Sequence, residues 1–384
     1  MRQSPSSPLE ERTRAFLSDL LIDVPIARAQ GTPEEFLAVL ERALLFHPVF
    51  QNWPSPIDGW LDEAEQLSRE LQQVGTLATV MLRRSVVRMR RLDYDSALAE
   101  LERVRHSIGP LSPAHLTWYN ATLARVLIRQ QQFDQARQVL HNITSLPQER
   151  WIALLPAVAK GELQLEANEI DAAEETMLRA LKSVPEEIVE ERIQVLQSLG
   201  FIFITKANAP KALDYLDQAR QMVRGAGAWP EVIQMDLAVA SFQVASGNPE
   251  AATLLTEALE LCQEYPQPHL EPLLRIAFAR FKAASGLVNE AVTAVTQAAT
   301  LYARQRNVVG YVSMIVLIGN LYIQHKDYAE AYRTLALGVA IAKQRQWPVV
   351  EQVLRTHIDR LRNDVMGPGE FDSMVQEMIN HMRP

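Results

Sequence analysis

Residues able to do acid–base, nucleophilic or metal chemistry occur in this chain of 384 residues, but their spacing argues against each role. The eight histidines, His47, His106, His115, His141, His269, His325, His357 and His381, are scattered singly. No two stand at the spacing that would put both imidazoles on one metal. Isolated histidines near helix ends are solvated or capping groups. The single cysteine, Cys262, has no adjacent histidine. A reactive thiolate needs an electropositive neighbourhood, so Cys262 reads as a packed, inert thiol. One cysteine also excludes an internal disulfide framework and a Cys-based zinc cluster, and fits a reducing compartment. The carboxylate pairs Glu174-Glu175, Glu186-Glu187 and Glu190-Glu191 could do general acid–base work only if buried, and they read as a solvated acidic face. Neither a Walker-type glycine loop nor a dinucleotide fingerprint is present. Asn142-Ile143-Thr144 has the form of a glycosylation acceptor without a visible secretory route. No metal or cofactor is expected, and the chain does not read as an enzyme.

One dense basic run remains, Arg83-Arg84, Arg88 and Arg90-Arg91. Asp93, Asp95, Glu100 and Glu102 follow closely and no aromatic residue interleaves it, which fits a partner-facing or self-neutralised helix better than nucleic acid. The formal net charge of −8 points the same way, since nucleic-acid binders carry a basic excess. Residues 1–21 lack the apolar core of a signal peptide and no window has the length of a membrane span. The expected address is the cytoplasm.

The elements that carry these residues are helices. Apolar residues recur at helical spacing through most of the chain, interrupted by short punctuation such as Leu92-Asp93, Gly247-Asn248-Pro249, Ser285-Gly286 and Lys326-Asp327. A repeat shows in the second helix of each pair, as an alanine, a large apolar residue four later and usually a small one three beyond. The series runs Ala97-Leu101-Val104, Ala136-Leu140-Ile143, Ala173-Met177-Ala180, Ala212-Leu216-Ala219, Ala251-Leu255-Ala258, Ala291-Val295-Ala298 and Ala331-Leu335-Gly338. Twelve positions before each alanine stand Ser85, Ala124, Gly161, Gly200, Val239, Ala279 and Gly319, nearly all small, where two helices must approach. A glycine inside a helix costs roughly 1 kcal/mol against alanine, so close packing must offset it.

Leu199-Gly200 with Phe203 and Ala212, and Ile318-Gly319 with Tyr322, Tyr328 and Ala331, resemble the tetratricopeptide pattern of Leu-Gly, a following aromatic and a later alanine. The resemblance covers residues 76 to about 345. It lacks the usual tryptophan of the first helix, and its period is near forty. The longer unit is similar to the sensor arms of MalT-like bacterial regulators and to the repeat domains of Rap-type phosphatases. This implies an all-α fold, a right-handed α-solenoid of about seven helix pairs with atypical caps. Residues 1–10 are expected to be disordered, 11–75 an N-terminal helical cap, 76–365 the solenoid, and 366–384 an amphipathic capping helix. The stripe Phe371, Met374, Val375, Met378, Ile379 and Met382 marks that last helix as a cap or, alternatively, a movable plug.

In tetratricopeptide arrays the first helices line the concave groove, so offsets from each alanine locate the lining. Gln197, Phe201, Asp236, Ala240, Gln243, Val244, Arg280, Ala284, Asn320 and Gln324 form the expected partner-binding groove, polar groups around apolar ones with room left by the alanines. Arg90, Arg125, Arg129, Glu162 and Glu166 form a secondary stretch, where Arg125 and Arg129 face Glu162 and Glu166 as an inter-repeat ladder of modest worth. Only Asn320 matches in type the carboxylate clamp of chaperone-binding relatives, which disfavours that role. The reading is a scaffold or adaptor holding a protein or peptide segment. The alternative is a sensor binding a signalling peptide or small inducer. Its basic second unit and acidic third are compatible with head-to-tail self-association.

Overall fold

The computed structural model describes residues 7–50, 56–143 and 146–381. Residues 1–6 and 51–55, Thr144 of the acceptor motif and Met382 of the last stripe lie outside the described residues. The described residues form nineteen α-helices and no strand. Three open the chain, α1 (Pro8–Gln30), α2 (Pro33–Phe46) and α3 (Ile57–Glu70). Helix pairs follow: α4 (Val74–Arg90) with α5 (Tyr94–Ile108), α6 (Pro113–Arg129) with α7 (Phe133–His141), and α8 (Arg150–Glu166) with α9 (Ile170–Ser183). Then come α10 (Val189–Thr205) with α11 (Ala209–Gly225), α12 (Trp229–Ala245) and α13 (Ala251–Glu264), and α14 (Glu271–Ala284) with α15 (Val288–Arg304). The last are α16 (Val308–Gln324) with α17 (Tyr328–Gln344) and α18 (Pro348–Arg360) with α19 (Pro368–His381). Residues 8–10, expected to be disordered, form the first turn of α1, whose N-cap Ser7 accepts from the Glu10 amide.

All seven repeat alanines are fully buried. The small residue twelve before each is the contact that lets the pair close. A Cβ on Gly200 would stand 2.5 Å from Leu216 Cγ, one on Gly161 2.7 Å from Met177 Cε, and one on Gly319 3.1 Å from Leu335 Cγ. Each partner is the large apolar residue four after the alanine. The turn inside a pair is equally regular. Five positions before the alanine, Leu92, Gln131, Asn168, Ala207, Gly286 and Lys326 take the left-handed conformation, with φ between 54° and 77°. The next residue starts the second helix, and where it is Asp93, Asn208 or Asp327 its side chain caps that helix. The repeat also runs one unit further than expected. Phe371 stands forty after Ala331, is 6% exposed, and packs edge-on to Tyr332 with ring centroids 5.3 Å apart. Helices α18 and α19 are thus an eighth pair, with phenylalanine in the alanine place and a π-helical stretch, Leu361–Met366, before the turn.

The chain divides into two compact units, Met1–Met235 and Asp236–Pro384, with the boundary inside α12. In a solenoid each repeat touches only its neighbours. Unit 1 breaks that rule. Helix α1 packs on α11, and a Cβ on Gly225 would stand 2.6 Å from the Glu10 carbonyl oxygen. In unit 2 the pairs stack in order around Ala279, Val295, Met314 and Ile318, then around Leu335 and Leu354.

One helix is short. α7 has nine residues, against fourteen to seventeen in the other second helices. Ile143, expected to be its third packing residue, lies beyond the helix end. The β-branched Ile-Thr pair and Pro147, which disfavours helix before it, account for the stop.

Candidate functional site

The first helices carry the expected lining, and the two units use it differently. In unit 1 the face is filled by its own side chains. The first turn of α10 brings Glu190 and Glu191 against α4 and α6, where the helix N-terminus favours negative charge. Arg83 Nη2 donates to Glu190 Oε2 at 2.7 Å, and Arg90 Nε to Glu190 Oε1 at 2.7 Å. Arg90 also reaches Gln194 Oε1 at 2.6 Å and Glu191 Oε1 at 3.2 Å. Arg125 donates to Glu191 Oε1 at 2.9 Å and to Glu162 Oε1 at 2.8 Å, and Arg129 pairs with Glu166 at 3.3 Å. The Val49 amide adds a bond to Glu190 at 3.1 Å.

The Arg125–Glu162 and Arg129–Glu166 contacts follow the expected ladder, but the setting is a correction. Arg125 is 4% and Glu162 3% exposed, so the first pair is a buried network rather than a surface ladder and offers no open groove. Glu190 and Glu191, read as a solvated face, are buried too. Burial alone would raise the Glu190 carboxyl. The Arg83 and Arg90 guanidiniums override it and hold the group well below the usual carboxylate range. Glu162 is held down in the same way by Arg125 and Arg129. Arg83 Nε and Glu191 Oε2 are buried without a hydrogen-bond partner. Both residues line a cavity of about 30 Å³ that Trp118 and Trp151 also line, with room for one water. Next to it Arg83 donates to the His47 carbonyl at 2.7 Å. Burial pushes the His47 imidazole down to about 4, and its ring meets Trp60 edge-on at 5.4 Å.

Further along α10 the lining differs. Gln197 is half-buried and Phe201 is 49% exposed. In unit 2, Asp236 and Ala240 are fully buried and Gln243 nearly so, and these three are therefore not an open lining. The small size of Ala240 serves packing. Val244 is half-buried. Arg280 and Ala284 on α14, with Asn320 and Gln324 on α16, are exposed. Among the described residues Arg280 makes no hydrogen bond or ion pair. The spacing of forty carries this row one repeat further, to exposed Arg360 on α18. Sequence reasoning stopped before it because the eighth pair lacks the marker alanine. Cys262 is buried, and burial pushes its thiol up to about 11. No group of three or more metal-ligating side chains is assembled among the described residues, and no described helix is long and apolar enough to cross a membrane.

No family model and no curated protein matches the chain. Solved structures do. The apo form of RapI aligns with 80% of this chain and 86% of its own, at 12% identity and a TM-score of 0.59. A signal-transduction ATPase with a tetratricopeptide repeat sensor from Pyrococcus horikoshii aligns with 99% of this chain, at 15% identity and a TM-score of 0.57. The chain spans about half, 53%, of that protein. The apo form of the quorum sensor NprR from B. thuringiensis aligns with 80% of this chain and 85% of its own, at 13% identity and a TM-score of 0.55. At these identities the likeness is one of fold, a tetratricopeptide-like helical repeat.

Proposed function

We propose that the chain is a binding module that holds an extended protein or peptide segment along α14, α16 and α18 of unit 2. The observation that carries this reading is the state of the arginines. On the first helices of unit 1, Arg83, Arg90 and Arg125 are neutralised by buried glutamates, whereas Arg280 faces solvent without a partner. A guanidinium offers a planar fork suited to a carboxylate, and Asn320 and Gln324 can each donate to and accept from a peptide backbone. Helices packed 8–10 Å apart space the rows by roughly three residues of extended chain. The terminal helices α1–α3 and α19 serve as caps in this reading.

The test is affinity capture with mass spectrometry, using the Arg280→Ala, Asn320→Ala double variant as control. A protein recovered by the native chain and lost with the variant is the expected result, and equal recovery would sink the assignment. A sensor role is the second reading, supported by the fold shared with the quorum sensor NprR and with the tetratricopeptide sensor of the ATPase. Native mass spectrometry separates the two. A small molecule retained by the native chain and absent from the double variant favours the sensor.

A further inference from the structure

Unit 1 carries a cleft on α8 and α9, the pair that follows the short helix α7. The second helix of one repeat normally lies against the first helix of the next, its C-terminal half opposite that helix's N-terminal half. Here roughly two turns are missing, five to eight residues at 3.6 per turn. Helices α8 and α9 line an open cleft of about 690 Å³. Its floor is apolar and small-featured, with Leu154 and Ala180 buried beside Ala157. Its walls carry Arg150, Lys160, Arg179 and Lys182, all exposed, and no carboxylate belongs to the lining. Among the described residues the one acidic contact of these four is a 3.7 Å approach of Glu175 to Arg179, both largely solvated. Four cations around one cleft stand out in a chain of net charge −8, which otherwise repels acidic partners.

We infer that this cleft docks an acidic amphipathic helix from a protein partner, in the place the missing turns of α7 would occupy. The helix shape follows from the two absent turns, the apolar stripe from the floor, and the acidic flank from the four cations. This surface shares no residue with the α14–α16–α18 row.

The probe is a blocked fourteen-residue helical peptide with glutamate on one face and leucine on the other, followed by fluorescence anisotropy. Saturable binding at low salt that weakens at least tenfold in Lys160→Glu/Arg179→Glu is expected. An Ala157→Trp variant, which fills the floor and leaves the charges in place, should weaken it as well. Melting temperatures of both variants must stay near that of the native chain. Arg280→Ala should not change this affinity, which separates the outcome from that of the other surface. No saturable binding, equal binding of a lysine-faced peptide, or binding indifferent to both cleft variants overturns the proposal. Displacement of the peptide by millimolar pyrophosphate alone would make the cleft a small-anion site and overturn it too. Concentration-dependent self-association that the peptide dissolves would replace the partner by a second copy of this chain.

Discussion

Glu190 is bonded to Arg83, Arg90 and the Val49 amide, and it shows how differently two charges on equivalent faces behave. Removing one member of a buried ion pair leaves the other uncompensated, at about 3–5 kcal/mol. Glu190→Gln should therefore lower unfolding free energy by about that much, whereas Arg280→Ala should stay within about 0.5 kcal/mol. Urea unfolding checks both, and similar losses would mean that the network is not desolvated as described. His47 adds a pH dependence of known sign. Its folded value, about 4, lies below the ordinary 6.5, so the unfolded chain takes up the proton first. The stability from neutral His47 is full above pH 6.5 and is lost as pH falls toward 4, a change of about 3 kcal/mol. His47→Gln should flatten that slope, and identical slopes would show that other groups cause it. The Glu190 contribution belongs to a lower window, being complete above the ordinary carboxylate value and lost as pH falls through the depressed one.

Helices and their turns were legible in the sequence because their causes are local. A buried alanine marks seven of the pairs, with a small residue twelve earlier in six of them and a left-handed residue five before it in six, and a period of near forty repeats the pattern. Gly200→Ala should cost about 1–3 kcal/mol, since the new Cβ would overlap Leu216 unless the leucine shifts. Lys326→Gly should instead stabilise by up to about 1 kcal/mol, because the exposed lysine holds φ at 60°, where glycine is unstrained. Differential scanning calorimetry reads both, and a change in the same direction would put the turn register in doubt. The inner faces were legible only in part. Offsets put Arg280, Asn320 and Gln324 on one exposed row, but nothing local reports that Asp236 is enclosed. Nor does spacing reveal that Glu190 meets Arg83, 107 positions earlier. The eighth pair escaped notice because phenylalanine replaces its marker alanine, and the truncation of α7 because the Ala136–Leu140–Ile143 pattern runs past the helix end.

At the scale of the molecule, unit 2 stacks neighbour on neighbour while unit 1 joins its first helix to its eleventh. Removing α1 should therefore do more than uncover one end. It strips Leu17, Leu20 and Val24 from the core and exposes the α11 face that holds Gly225. A chain lacking residues 1–31 should lose several kcal/mol and show lowered amide protection in α11 as well as α2. Unchanged protection in α11 would contradict the closure. The Ser7 hydroxyl donates to Gln221 Oε1, 214 positions later. Linear repeat arrays nucleate anywhere and fray from either end, because no contact waits on distant sequence. Tying both extremities of unit 1 together makes its refolding wait on a long loop closure, so it should refold more slowly than its helix content suggests. The same tie removes the free end from which such arrays unzip, and unit 1 should come apart in one step rather than repeat by repeat.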